Sequence, residues 1–594
     1  MNRLPAYPSL QSGLFRCDWR PHALLRYLFV AGLAAVLPTR LLATTADTLC
    51  RPTDNPCRVT TTVTVTPGSV IDVGDRQLLI AGQGGLNLVS GMMTLRAAEL
   101  RVDPNANLRA RGSATVPGGK IVVIAGTITI DGDIDASGAP GGAVTLTSMG
   151  PLTLSGLLDV RSRASDSDGG TADLQGTDVT ITGSGRINAL GGGQDFGGAI
   201  NIVATGNLLV SGGITSAGGD GGGIDLSASQ SITISASVTL DADATAAGGS
   251  GGDITVSAID NLVMDGILSA TGRNGTEDTG GGDGGTIAVD GATIMATRPM
   301  SSMTAAAGGP DGVGGDIDVT STIGDIDLRG HLAASSAGVD GTGGEIGIDA
   351  AGAVSLSGGC DASGGGDSGG DVSVSSGGVL TVNMGASLDT SASAAGSGGD
   401  IDLSSADSVS VVGSLTADGG ASVGGSGGTN TLSGCSVRVE NTGRLSSLRN
   451  GGSNVLIGRD VSVVSGTLRA DPTGGQNVIR FAGPAYEPSI LPGAQINPDI
   501  TLVEDSTIVP CNPVDTPTPS TEPPTPTATP GPCVGDCDGN GEVSVSDLIV
   551  GVNIALGNQP IENCLAFDVD GSGTVDIGEL IQGVNNALDG CPVG

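Results

Sequence analysis

Between residues 118 and 474 the chain repeats one phrase: two glycines, a variable residue, then aliphatic side chains at every second position. Gly314-Gly315-Asp316-Ile317-Asp318-Val319 is representative. Glycine pairs open at 118, 141, 169, 197, 221, 251, 284, 314, 343, 369, 398, 427, 451 and 474, about 27 residues apart. Alternation with period two marks a strand buried on one face. In the unit from Gly398 to Ala417, the stretches Asp400–Leu403, Val409–Val412 and Gly413–Ala417 predict three short strands between Gly and Ser turns. Such a unit cannot bury its apolar face alone and must stack on copies of itself.

The pattern therefore predicts an all-β fold, a long parallel β-helix (β-solenoid), with Ile, Val and Leu inward and Asp, Ser and Thr outward. Glycine is expected to supply positive φ at the corners. Helices are disfavoured there, since each helical glycine costs about 1 kcal/mol. Some sixteen coils at roughly 4.8 Å per stacked strand predict a rod of about 75 Å. Longer units carry polar inserts such as Gly275–Gly280, expected to loop out from one edge.

Composition narrows the picture. Glycine is 104 of 594 residues, and beyond residue 46 there is no Trp, one Tyr (Tyr486) and three Phe (Phe196, Phe481, Phe567). Aliphatic side chains must fill the core, and no aromatic platform for stacking on sugar rings is expected. The net charge is -37, with Lys120 the only lysine, which excludes nucleic acid and anionic membranes as partners. Asp316, Glu345, Asp371 and Asp400 occupy one equivalent position in successive units and should form a ladder about 5 Å apart. Plain solvation is the first reading of that ladder; scattered calcium binding and a catalytic pair are the alternatives. His331 has no evident Ser or Cys partner and reads as a solvated loop residue.

The first residues carry Arg3, Arg16, Arg20 and Arg26, then an apolar run from Tyr27 to Leu37, Pro38, and small residues at Ala43 and Ala46. This order reads as a secretory signal cleaved near Ala43 or Ala46, with no membrane span in the mature chain. A secreted or cell-surface protein follows, and its cysteines become candidates for disulfides. Cys50 and Cys57 should close a small loop before the first coil. Cys360 and Cys435 lie about three units apart, too far to pair with each other, and read as small core residues.

The expected order is a signal peptide at 1–46, an N-terminal cap and first coils at 47–110, solenoid repeats at 111–505, a Pro/Thr linker at 506–533 and a small helical domain at 534–594. Alternating Pro and Thr favours extended polyproline, a semi-rigid spacer.

The last segment holds the sharpest chemistry. Asp536-Cys537-Asp538-Gly539-Asn540-Gly541-Glu542-Val543-Ser544-Val545-Ser546-Asp547 returns 32 residues later as Asp568-Val569-Asp570-Gly571-Ser572-Gly573-Thr574-Val575-Asp576-Ile577-Gly578-Glu579. This is the twelve-residue calcium loop: side-chain oxygens at positions 1, 3, 5, 9 and 12, a backbone carbonyl at 7, and glycine at 6 for the sharp turn. One calcium would be held by Asp536, Asp538, Asn540, Ser544, Asp547 and the Glu542 carbonyl. The other would be held by Asp568, Asp570, Ser572, Asp576, Glu579 and the Thr574 carbonyl. Residues 534–594 contain ten acids and no base, seven of them at ligand positions, so the segment should repel itself open without divalent cations. Leu548, Ile549, Val552, Ala555 and Leu556 match Leu580, Ile581, Val584, Ala587 and Leu588, giving each loop one packed helix.

The Gly-rich repeats resemble the β-solenoids of filamentous-haemagglutinin-like adhesins. The duplicated loop-helix resembles a type I dockerin, with its EF-hand-type calcium loops. The dockerin resemblance implies a cohesin-like protein partner, chosen in part by loop positions 10 and 11, here Val545-Ser546 and Ile577-Gly578. Where the family often carries bases midway along each helix, this chain has Gly551-Val552-Asn553 and Gly583-Val584-Asn585. Cys533, Cys537, Cys564 and Cys591 allow three pairings, with Cys533–Cys591 expected as a terminal clasp. The leading expectation is a non-catalytic rod tethered through this module. A dockerin-bearing β-helix hydrolase or lyase acting on extracellular polysaccharide is one alternative, and a calcium-stapled cap without a docking role is another.

Overall fold

The computed structural model describes residues 43–276, 279–422, 424–511 and 533–591. The expected signal segment up to residue 42 and the Pro/Thr stretch 512–532 lie outside them. The chain divides into two compact units, residues 1–513 and 514–594.

The first unit is a parallel β-solenoid of about 15 turns. A typical coil has a first strand Asp316–Ser321, a second Ile326–Leu328 and a third His331–Ala333. Each pairs in register with its counterpart one coil later: Ile317 with Ile346, Ile326 with Val354, Leu332 with Cys360. Identical registers stack like on like, so Ile317, Ile346, Val372 and Ile401 form one fully buried aliphatic column. Each such side chain contributes about 1.5–3 kcal/mol on burial. Towards both ends the first and second strands fuse, in Met92–Val102, Lys120–Ile130, Thr429–Val439 and Ser453–Val464.

Positive φ is found at Gly451, which opens one pair, and at single glycines such as Gly74 and Gly385, but a typical pair is present for another reason. Neither Gly314 nor Gly315 has positive φ. Instead a Cβ on Gly314 would collide with the Ala334 carbonyl and the Gly344 amide, and one on Gly315 with the Gly285 carbonyl. The repeat needs glycine because neighbouring coils touch through bare backbone at this corner.

Another device recurs along the rod. Asp135, Asp361, Asp389 and Asp471 each accept the backbone N–H two residues on, and Ser137, Ser363 and Thr473 add their hydroxyls. These Asp-x-Ser/Thr turns close the corner after the third strand, or its equivalent, by local side-chain hydrogen bonding. Many of the rod's acids are thus structural caps.

The N-terminal end is covered by helix α1 (Ala46–Leu49) and the Cys50–Cys57 disulfide. Near the other end a buried asparagine ladder replaces the aliphatic column: Asn430 Nδ2 donates to Asn454 Oδ1 (2.8 Å), and Asn454 Nδ2 to Asn477 Oδ1 (2.8 Å). Cys360 is a buried free thiol, as expected. Cys435 is not a core residue: it forms a disulfide with Cys511. Its side chain leaves the strand on the outer face, and the chain returns along that flank, where the Cys511 amide donates to Asp460 Oδ1 (2.8 Å).

Among the described residues, no helix is long and apolar enough to cross a membrane.

Candidate metal centre

The second unit carries helices α2 (Val545–Ala555) and α3 (Ile577–Asp589), each following one of the two acidic loops. Its core is small: Phe567, fully buried, with Ile554, Cys564 and Val575, and Leu548, Val550 and Leu580 against them. Cys533–Cys591 forms the expected clasp and Cys537–Cys564 the second staple.

Phe567 lies between the two helices at their glycines. A Cβ on Gly551 would stand 2.5 Å from Phe567 Cε2, and one on Gly583 would meet Cε1. The glycines that set these helices apart from the dockerin pattern therefore admit the one large core ring.

This seating corrects the expected helix face. Gly551 and Ile554 of α2 are buried, whereas Ile549 and Val552, expected to pack, are exposed. Val545, Ile549, Val552 and Leu556 form an outward stripe along α2, and Ile577, Ile581, Val584 and Leu588 form the same stripe along α3. The spacing i, i+4, i+7, i+11 keeps each set on one side of its helix.

The loops fold as their sequences require. Gly541 and Gly573 at position 6 have φ of 88° and 76°, and Gly539 and Gly571 at position 4 have 73° and 71°. In the second loop Asp568 accepts the amides of Ser572 (2.9 Å) and Gly573 (2.9 Å), and Asp570 accepts that of Ser572 (2.9 Å). Glu579 reaches back from α3 to the Val569 amide (2.8 Å). Oxygens of Asp568, Asp570 and Glu579 consequently lie within 4.8 Å of one another, an arrangement compatible with calcium. The Ser572 hydroxyl donates to the Thr574 carbonyl at 3.1 Å.

In the first loop Asp536 accepts the amides of Gly539 (2.8 Å) and Gly541 (2.8 Å), Asp538 that of Asn540 (3.1 Å), and Asn540 that of Glu542 (2.8 Å). Asp547, one methylene shorter than Glu579, stays at the helix start and accepts from the Ser544 amide (2.9 Å) and hydroxyl (2.6 Å). Among the described residues only the second loop gathers three acids. Asp576 likewise caps its helix, accepting from the Glu579 amide at 3.0 Å. Hydrogen bonds hold two carboxyls below their ordinary range, those from Ser544 on Asp547 and those from Ser572 on Asp570.

On the solenoid, Asp316, Glu345 and Asp371 stack in register and are exposed. Asp371 accepts the Asp400 amide (2.8 Å) and Asp400 the Thr429 amide (2.7 Å). His331 is exposed at the start of a third strand, not in a loop. Phe196 is 59% exposed at the glycine corner. No protein-family model matches the chain, and neither does any curated protein or solved structure.

Proposed function

We propose that the chain is a secreted or surface β-solenoid rod, tethered to a protein partner by a calcium-folded C-terminal module. The observation that carries this reading is the doubled apolar stripe, Val545-Ile549-Val552-Leu556 and Ile577-Ile581-Val584-Leu588, each helix held behind an acidic loop. Eight large aliphatic side chains turned to water at matched positions of a duplicated motif are the property of a binding face. The gathering of Asp568, Asp570 and Glu579 supports calcium as the element that fixes the helices. A module with two calcium loops, two disulfides and four main core residues depends on these staples more than on hydrophobic burial.

For export, cleavage after Ala43 is the alternative that leaves the N-terminal cap whole. The Thr44 amide donates to Ser69 Oγ at 2.8 Å, and Ala46 is buried in the first coil.

The test is capture of partners from the surface and extracellular fraction of the source cells by the full chain, in calcium and in EGTA. The proposal expects a protein retained only in calcium and lost with Ile549→Ser/Ile581→Ser. Equal capture in EGTA, or by the double variant, contradicts docking and leaves the module a cap.

A further inference from the structure

A hollow on the solenoid runs along the glycine corner. Two adjoining stretches, of about 710 and 690 Å³, share Asp168 to Thr171 and together cross seven successive coils, from Ser90 to Asp253. At about 4.8 Å per coil the groove extends roughly 29 Å. Its floor is bare backbone, since a Cβ on Gly169 or Gly197 would strike the carbonyl of Ala189 or Ser216.

One wall of the groove carries a sequence-remote constellation. Asp168, Phe196 and Asp220 each precede a glycine pair, so they occupy one position in three consecutive coils. The Phe196 amide donates to Asp168 Oδ1 (3.3 Å), and Phe196 bridges to Asp220 in the parallel ladder. Phe196 thus stands between two coils whose equivalent residue is an aspartate, and Asp220 Oδ1 in turn accepts the Ser250 amide (2.9 Å) of the coil beyond. Among the described aromatic side chains Phe196 is the exposed one: Phe481 and Phe567 are buried and Tyr486 is half-buried. The apolar run of the repeat does not demand an aromatic here, since the same position holds Pro140 and Ser250 in neighbouring coils.

We infer that this groove binds a neutral polysaccharide chain, with one sugar ring lying on Phe196 and its hydroxyls donating to Asp168 and Asp220. Sugars present an apolar C–H face and a rim of hydroxyl donors, which an exposed ring with carboxylate acceptors in the adjacent coils matches. The floor rejects an extended peptide as a paired strand, because its amides are already used: Gly169 donates to the Phe196 carbonyl (3.0 Å), Gly170 to Val160 (2.8 Å), Gly197 to Asp220 (2.9 Å) and Gly198 to Ala189 (2.6 Å). Asp168, Asp220 and Asp253 give this part of the groove a negative lining, which rejects uronate and sulfated chains. The dimensions fall in the range of natural ligand clefts. The site belongs to the rod and does not rest on the docking reading.

Isothermal titration of the full chain with cellohexaose, xylohexaose and mannohexaose, against hexagalacturonate as the charged comparator, tests this. The inference expects at least one neutral hexasaccharide to bind and hexagalacturonate not to. Phe196→Ala should weaken binding tenfold or more, Phe196→Trp should preserve it, and Asp168→Asn/Asp220→Asn should weaken it severalfold. Thermal melts of the variants should match the parent, since the ring is exposed, and Glu579→Gln in the C-terminal module should leave glycan binding unchanged. Absence of binding by all three neutral sugars, equal binding of hexagalacturonate, or unaltered affinity in Phe196→Ala overturns it.

Discussion

Gly551 stands so close to the ring of Phe567 that a single added carbon would lie 2.5 Å from Cε2, and Gly583 closes on the other side of the same ring. The ring thus lies between the two helices of the C-terminal unit, beside the aliphatic contacts of Leu548, Ile554, Val575 and Leu580. Gly551→Ala or Gly583→Ala should therefore overpack the site and destabilise the unit by about 1–3 kcal/mol, even though alanine is the better helix former. Phe567→Ala should cost about 3–5 kcal/mol. Calorimetric melting of the full chain reads these as a lowered transition of the second unit with that of the solenoid unmoved.

Within the solenoid, Asn454 occupies the middle of the buried asparagine ladder. It accepts from Asn430 and donates to both Asn477 Oδ1 and the Arg469 carbonyl (2.9 Å). Asn454→Ala removes three hydrogen bonds and leaves buried partners unsatisfied, each at about 1–3 kcal/mol. Urea titration should show a loss of at least about 2 kcal/mol if the coils unfold as a unit. A loss no larger than that of an exposed Ser→Ala variant would show that the ladder relaxes to water.

Asp241 supplies a pH test with a definite sign. Burial raises its pKa and that of Asp159 above the ordinary carboxylate value, although Asp241 accepts the Asp243 amide at 3.1 Å. The folded state thus holds its proton to higher pH than the unfolded one. This group's contribution to stability rises as pH falls through its folded pKa and is lost as pH rises through it. Asp241→Asn keeps the accepting oxygen and removes the charge, so it should raise Tm at pH 7 and lose most of that gain near pH 4. An equal effect at both pH values contradicts the assignment.

The Cys435–Cys511 disulfide ties residues separated by 76 positions and encloses the last coils of the rod. A disulfide stabilises by about 2–4 kcal/mol in typical proteins, and chain entropy puts a loop of this size towards the upper end. Cys435→Ser/Cys511→Ser should make limited proteolysis begin in the C-terminal coils, with fragments ending after residue 435 found by mass spectrometry. Unchanged cleavage would show that strand stacking alone secures that end. In the parent protein the Cys360 thiol, pushed up to about 12 by burial, should resist iodoacetamide at pH 8.5 until the chain is unfolded.

These residues also mark how far the sequence could be read. The solenoid was legible because each strand writes its own period-two pattern and each coil announces itself with a glycine pair. The acidic loops and the helix after each were legible because their residues are contiguous in sequence. The buried face of α2 was not, since Leu548, Val550 and Ile554 on one side and Ile549, Val552 and Leu556 on the other make the helix apolar nearly all round. Only the seat of Phe567 against two glycines decides between them. Cys435–Cys511 escaped notice because the partner arrives after the final coil and runs back along the flank. Phe196 between Asp168 and Asp220 escaped because residues 28 and 24 apart in sequence become neighbours only once the coils stack. Sequence distance hid the last two.

The doubled loops predict unequal calcium sites. Glu579 reaches the other carboxylates and Asp547 does not, so the second loop should bind more tightly than the first. Glu579→Gln should raise the Kd of one site at least tenfold, whereas Asp547→Glu should tighten the other.

Calorimetric titration of the full chain with calcium, beside its Glu579→Gln variant, tests the central claim most directly. The account predicts two micromolar-or-tighter equivalents in the parent, one in the variant, and a gain in helical circular dichroism as the sites fill. Absence of micromolar binding, or an identical isotherm from the variant, would contradict it.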